Sequence, residues 1–211
     1  MPRAARWAEF LALFVGVPVV MAVFLPPNAL FPALFAFTLG GLALIRATGD
    51  FDWSQLVHGW GRVNWGRMIL FALLVAVIGL MVMRATRPGF LPNLTPKRLS
   101  FLAVLWLLYP LLSALPQELI FRALYFHRYA PMMGGERRAR LVNAAIFSLA
   151  HLMYWSVVVA VLTFLGGWLF ARLYQAKGFP AAWAAHALAG NVLFTVGMGA
   201  YFWSGNVVRP F

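Results

Sequence analysis

The sequence predicts an all-α protein, a polytopic transmembrane helix bundle of about seven spans, with six to eight compatible with its length. Three observations predict it. Of 211 residues, 63% are hydrophobic and only 10% are charged, against nearer half and a quarter in a soluble domain. Mean hydropathy is +0.81. The apolar residues fall in runs close to the ~20 needed to span a bilayer core, with basic residues gathered between them. These values exclude a disordered chain and a disulfide scaffold. Residues 1–211 read as one integral membrane domain.

The first run covers residues 7–25, after Arg3 and Arg6. No small-residue cleavage site follows it, so it reads as a retained span rather than a signal peptide. Pro18 predicts a kink within it. Pro26-Pro27-Asn28 breaks the chain before a second run, 29–45. Residues 46–67 are a polar connector with Asp50, Asp52, His58 and Arg62. It is expected to lie as an interfacial helix with Phe51, Trp53 and Trp60 toward lipid.

The third run is 68–83, followed by a proline-rich basic connector, 84–100. The fourth, 101–126, is long enough to tilt and carries Ser113, Gln117, Glu118 and Arg122. A strongly basic loop, 127–140, leads to the fifth run, 141–155, the sixth, 156–174, and the seventh, 179–203. Runs five and six read as one bent helix or as two, since only Tyr154-Trp155 joins them.

Seventeen Lys and Arg against five Asp and Glu give a formal charge of +12. Set between apolar runs, these residues fix topology and meet anionic headgroups, and nucleic acid is not an expected partner. With the N-terminus inside, eleven basic connector residues fall inside and five outside (Arg84, Arg87, Lys97, Arg98 and Arg209). That bias favours N-inside, and the composition suits a bacterial inner membrane. Cysteine is absent, which removes disulfides, thiolate metal sites and a cysteine nucleophile.

Five acids exist, and Glu118 alone sits deep in an apolar run. An ionisable group inside a membrane is a functional candidate by default. Arg122 lies four residues on, so the same pair also reads as a self-neutralising helical bridge. His151 and His186 lie in two further runs, with Asn191 near the second. At 1.5 Å per residue, Glu118 lies ~15 Å, His151 ~18 Å, His186 ~9 Å and Asn191 ~17 Å from one membrane face. A carboxylate, two imidazoles and an amide at similar depth can activate water and stabilise an oxyanion. Glu118, His151 and His186 can equally ligate a divalent metal such as zinc with an open water position. Metal-free water activation and a metal site both stay open.

Three motifs follow in order: Gln117-Glu118-Leu119-Ile120-Phe121-Arg122, Phe147-Ser148-Leu149-Ala150-His151, and His186-Ala187-Leu188-Ala189-Gly190-Asn191. Together they resemble the CPBP family of CAAX-type intramembrane proteases and bacteriocin-processing or immunity (Abi) proteins. Its signatures are EExxxR, FxxxH and HxxxN or HxxxD on separate membrane helices. The resemblance covers about residues 115–194, within a core of about 101–205. It implies an α-helical intramembrane protease, cutting a peptide or protein substrate in the bilayer. It also implies a water-activating Glu supported by Arg, and His and Asn side chains around water and oxyanion.

Two departures stand out. Gln117 replaces the first Glu, and an amide cannot accept a proton near neutral pH. The family's Asn is four residues after its His, where this chain has Gly190, and Asn191 comes one later. A π-bulge at Gly190 is the expected way to realign it. The leading expectation is an endopeptidase using Glu118, His151 and His186, with Gln117, Asn191 and Arg122 in support. The alternative is a non-catalytic member acting in immunity or scaffolding. A proton or ion path through Glu118, Arg122 and the histidines is a third reading.

Overall fold

The computed structural model describes residues 2–89 and 95–210. Residues 90–94, the middle of the expected third connector, lie outside the described residues. The fold is an all-α bundle. Among the described residues, five helices are long and apolar enough to cross a membrane: α1 (Arg3–Phe24), α2 (Pro27–Thr48), α3 (Trp65–Thr86), α4 (Pro96–Met133) and α6 (Val157–Lys177). Two shorter helices, α5 (Glu136–Leu149) and α7 (Phe179–Thr195), take the places of the fifth and seventh runs. The protein is an integral membrane protein.

Prolines shape the long helices. A proline lacks the N–H of an i→i−4 bond, and its ring crowds the carbonyl one turn back. In α1 the wider π turn Ala12–Gly16 precedes Pro18 and absorbs this crowding. In α4 a π turn opens at Pro110 and runs to Ala114, and a longer π segment spans Leu119–Tyr129. Such widened turns re-aim the side chains that follow them and recur at functional sites. Here they bracket Gln117 and Glu118.

The connector after α2 differs from the expected interfacial helix. It forms two short 3₁₀ turns, Trp53–Leu56 and Trp60–Arg62, after Gly49 (φ 78°) and Asp50 (φ 54°) turn the chain left-handed. Trp53 and Trp60 are exposed, but Phe51 is buried against the ring of His127. His127 Nε2 donates to the Gly49 carbonyl at 2.8 Å, which pulls this segment onto the end of α4.

Runs five and six are two helices. A 3₁₀ turn, Leu152–Tyr154, and Trp155 in the left-handed region (φ 47°) separate them. Run seven stops at Thr195 rather than 203 because Gly197 (φ 96°) turns the chain. The Met198 amide then returns to the Leu193 carbonyl at 2.8 Å and the Gly197 amide to Phe194 at 3.2 Å, a double C-terminal cap.

α4 is the axis of the bundle. Its segment from Ile120 to Tyr125 is buried throughout, with α2 along its lower part and α7 across its upper part. α5 and α6 approach closely at Gly167, where an added Cβ would lie 3.3 Å from the backbone of Ala144 and 3.0 Å from the Phe147 ring. One end is tied by charge. Arg128 donates from Nε and one terminal nitrogen to the two oxygens of Glu9, at 2.6 and 2.8 Å, and its other terminal nitrogen reaches Thr48 Oγ1 at 2.6 Å. These bonds join α1, α2 and α4. A bidentate, partly buried pair of this kind is among the stronger ionic contacts in proteins.

Candidate active site

The site is built where α4, α5 and α7 meet the connector after α5. Glu118, fully buried on α4, accepts from His186 Nδ1 on α7, with Oε1 2.9 Å from the ring nitrogen. Its second oxygen lies 3.2 Å from Arg122 Nε, one turn along the same helix. Arg122 is fully buried as well. It donates to Asn143 Oδ1 on α5 at 2.7 Å, and Asn143 Nδ2 donates to the Phe121 carbonyl at 2.6 Å. The guanidinium sits over the rings of Phe147 (5.0 Å) and Phe170 (5.8 Å). Two ions this deep each carry a desolvation cost of several kcal/mol, so each depends on the other and on these secondary partners.

Phe147 explains the spacing of the second motif. Its carbonyl accepts from His151 Nδ1 at 2.7 Å, four residues on. Its ring meets Arg122, the ring of His186 edge-on at 5.5 Å, and Phe170 at 6.3 Å. Phe170 in turn stacks on His186, with ring centroids 4.9 Å apart and planes within 12°. One phenylalanine therefore sets the positions of both imidazoles and of the arginine.

The two histidines share a hydrogen-bonding logic. Each Nδ1 faces an acceptor, a carboxylate for His186 and a backbone carbonyl for His151. Each imidazole thus carries its proton on Nδ1 and leaves Nε2 as the basic nitrogen. Both rings line a cavity of about 520 Å³, with Gln117, Ser113, Tyr109 and Tyr154. The remaining wall is overwhelmingly apolar and comes from all seven helices, including Val17, Phe37, Val75 and Leu165.

The structure thus brings Gln117, His151 and His186 together on the cavity wall. Glu118 and Arg122 stand behind His186, and neither lines the cavity. Gln117, not Glu118, is the cavity-facing member of the first motif. Its Nε2 donates to Ser113 Oγ at 3.1 Å, and its Oε1 is buried with no hydrogen-bond partner.

Asn191 lies apart from this group. α7 is regular α-helix through Ala187–Asn191, so the π-bulge expected at Gly190 is not there. Five residues after His186, Asn191 is turned about 140° from it around the helix. It is buried against α4, where Nδ2 donates to the Trp106 carbonyl at 3.1 Å. The bulge is unavailable because α7 must keep its register with α4: Thr195 Oγ1 also accepts from Trp106 Nε1 at 2.9 Å.

The metal alternative does not fit these positions. Among the described residues no three His, Cys, Asp or Glu side chains gather as a metal site. Both oxygens of Glu118 are directed at His186 Nδ1 and Arg122, so it does not join the two Nε2 atoms as a third ligand.

Sequence reasoning missed Asn143, Tyr109 and Tyr154. Asn143 was visible as a polar residue two turns before His151 in an apolar run. Tyr109 and Tyr154 carried no signal beyond being aromatic, and Tyr154 takes its place by stacking on His151 with centroids 6.1 Å apart.

Residues 99–202 match the family model described as type II CAAX prenyl endopeptidase Rce1-like. No curated protein and no solved structure gives a significant match.

Proposed function

Through residues 99–202 the chain belongs to the CPBP family of CAAX-type intramembrane proteases, and on that footing we propose that it is an intramembrane endopeptidase that cleaves a membrane-associated peptide with water activated by a Glu/His pair. The observation that carries this reading is the orientation of the imidazoles. Two rings, each held by an acceptor on Nδ1 and so left with a basic Nε2, line one cavity that also holds an amide side chain.

The chemistry follows from that geometry. Water is held between Gln117 and His151. As its oxygen bonds to the scissile carbonyl carbon, its proton passes to His186 Nε2 and the carbonyl electron pair moves to oxygen. Glu118 balances the imidazolium that forms, as a buried carboxylate does behind a catalytic histidine. When the C–N bond breaks, His186 returns the proton to the leaving amine. In this scheme Glu118 and Arg122 are positioning residues, and His151, His186 and Gln117 touch water or substrate.

The apolar walls suit a substrate that carries a hydrocarbon group, in keeping with the prenylated substrates of the family description. The bias of basic residues supports a bacterial plasma membrane with the N-terminus inside. A second reading, a non-catalytic member acting in immunity or scaffolding, is favoured by the amide of Gln117 on the cavity wall.

The two readings separate in one assay. The purified chain in liposomes is given a quenched fluorescent peptide ending in a prenylated cysteine motif. Cleavage by the wild type and none by His186→Ala supports the endopeptidase. Equal signals from both support the non-catalytic reading.

A further inference from the structure

A hydrolytic site needs a donor for the negative charge that grows on the substrate's carbonyl oxygen. The side chains already assigned leave that role open. His151 and His186 direct Nδ1 at acceptors of the protein, so in the neutral ring neither has a second N–H to give, and Asn191 is turned to the backbone of α4. Tyr109 stands where such a donor is needed. Its ring lies directly over Gly190, so that a Cβ added there would overlap both Cε1 and the phenol oxygen. The tyrosine thus fills the volume that a side chain four residues after His186 would occupy.

Its surroundings set its polarity. The ring meets His186 edge-on, with centroids 6.2 Å apart. The Ser113 hydroxyl, four residues on along α4, is a polar neighbour of the phenol. Ser113 Oγ already accepts from Gln117 Nε2 at 3.1 Å. A serine that accepts on one side has its own proton to give on the other. A proton given by Ser113 to the phenol oxygen would leave the phenol's own proton for the cavity, which Tyr109 lines together with both histidines.

We propose that the Tyr109 hydroxyl is the oxyanion donor of this site, admitted by the absence of a side chain at Gly190 and oriented by Gln117 through Ser113. The inference rests on the endopeptidase reading above. It also gives Gln117 a task that a carboxylate would perform less well, because an ionised carboxylate has no N–H to donate to Ser113.

The test uses the purified full chain in liposomes and the same quenched prenyl-cysteine peptide. Tyr109→Phe keeps the ring over Gly190 and removes only the donor. Turnover falls by about two to three orders of magnitude, the usual effect of losing one oxyanion donor, with KM little changed. The double variant Tyr109→Ala/Gly190→Asn vacates the ring's volume and fills it with an amide donor, and it regains activity over Tyr109→Ala alone. Turnover by Tyr109→Phe within about threefold of wild type overturns the proposal while His186→Ala still upholds the endopeptidase. Wild-type signal equal to that of His186→Ala overturns both.

Discussion

The Nδ1 of His186 and the Oε1 of Glu118 lie 2.9 Å apart, joining α7 to α4 at a point where the carboxylate has no exposed surface. This contact decides which nitrogen of His186 is basic. It also makes Glu118 the link between the imidazole in the cavity and the arginine behind it.

Because the Glu118–Arg122 pair is fully buried, breaking it and replacing it have different consequences. Glu118→Ala leaves an uncompensated guanidinium and is expected to lower stability by about 3–5 kcal/mol. Glu118→Leu combined with Arg122→Met replaces both ions by apolar side chains and recovers most of that loss, since buried pairs are often matched by well-packed hydrophobic residues. Neither variant regains peptide cleavage, because His186 has lost its carboxylate. Thermal unfolding in detergent, beside the peptide assay, checks both parts.

Asn143 should matter as much as a motif residue although it belongs to none. Asn143→Ala removes an acceptor from Arg122 and a donor from the Phe121 carbonyl, both buried. A loss of about 2–4 kcal/mol is expected from two buried polar groups left unmatched, one of them charged. Asn143→Asp keeps the acceptor for Arg122 and should lose less. Midpoints of thermal unfolding rank the two.

Asn191→Ala separates the role implied by the motif from the role implied by position. Its side chain donates to the Trp106 carbonyl, so the substitution should cost about 1 kcal/mol of stability and change turnover by less than about threefold. Turnover that drops about a hundredfold at unchanged stability would place Asn191 in the chemistry instead.

Gly190→Ala tests the packing of α4 on α7. The new methyl overlaps the Tyr109 ring, and the ring must swing out of the cavity wall. Activity falls, and the roughly 1 kcal/mol that Ala gains over Gly in a helix interior is offset by the about 1–3 kcal/mol cost of displacing a packed ring. Lower cleavage in a protein that unfolds at the same temperature or slightly earlier is the expected pair of results.

Much of this site was legible before the structure, and what was not has physical causes. Hydropathy marks apolar runs directly, so α1, α2, α3, α4 and α6 fall where the runs lie. It cannot see a helix stopped by backbone geometry, as α7 is at Gly197. Residue type and depth single out Glu118, His151 and His186, because ionisable groups in apolar runs are scarce. Direction is hidden. Whether Gln117 or Glu118 faces the cavity depends on the π turns of α4, which shift every side chain beyond them. The departure at Gly190 is visible, but its meaning lies in Tyr109, 81 positions earlier in the sequence. Phe51 reads as lipid-facing because an aromatic residue in a connector resembles an interfacial anchor, whereas its ring packs inward on His127 and joins the core.

The proposed activity has the two imidazoles activate water to cut peptides in the membrane. The most direct measurement compares newly formed peptide termini in membranes carrying the wild type or His151→Ala at equal abundance. A set of termini present with wild type and lost with His151→Ala, lying in or beside membrane-associated segments, is the expected result. Identical termini from the two membranes would contradict it.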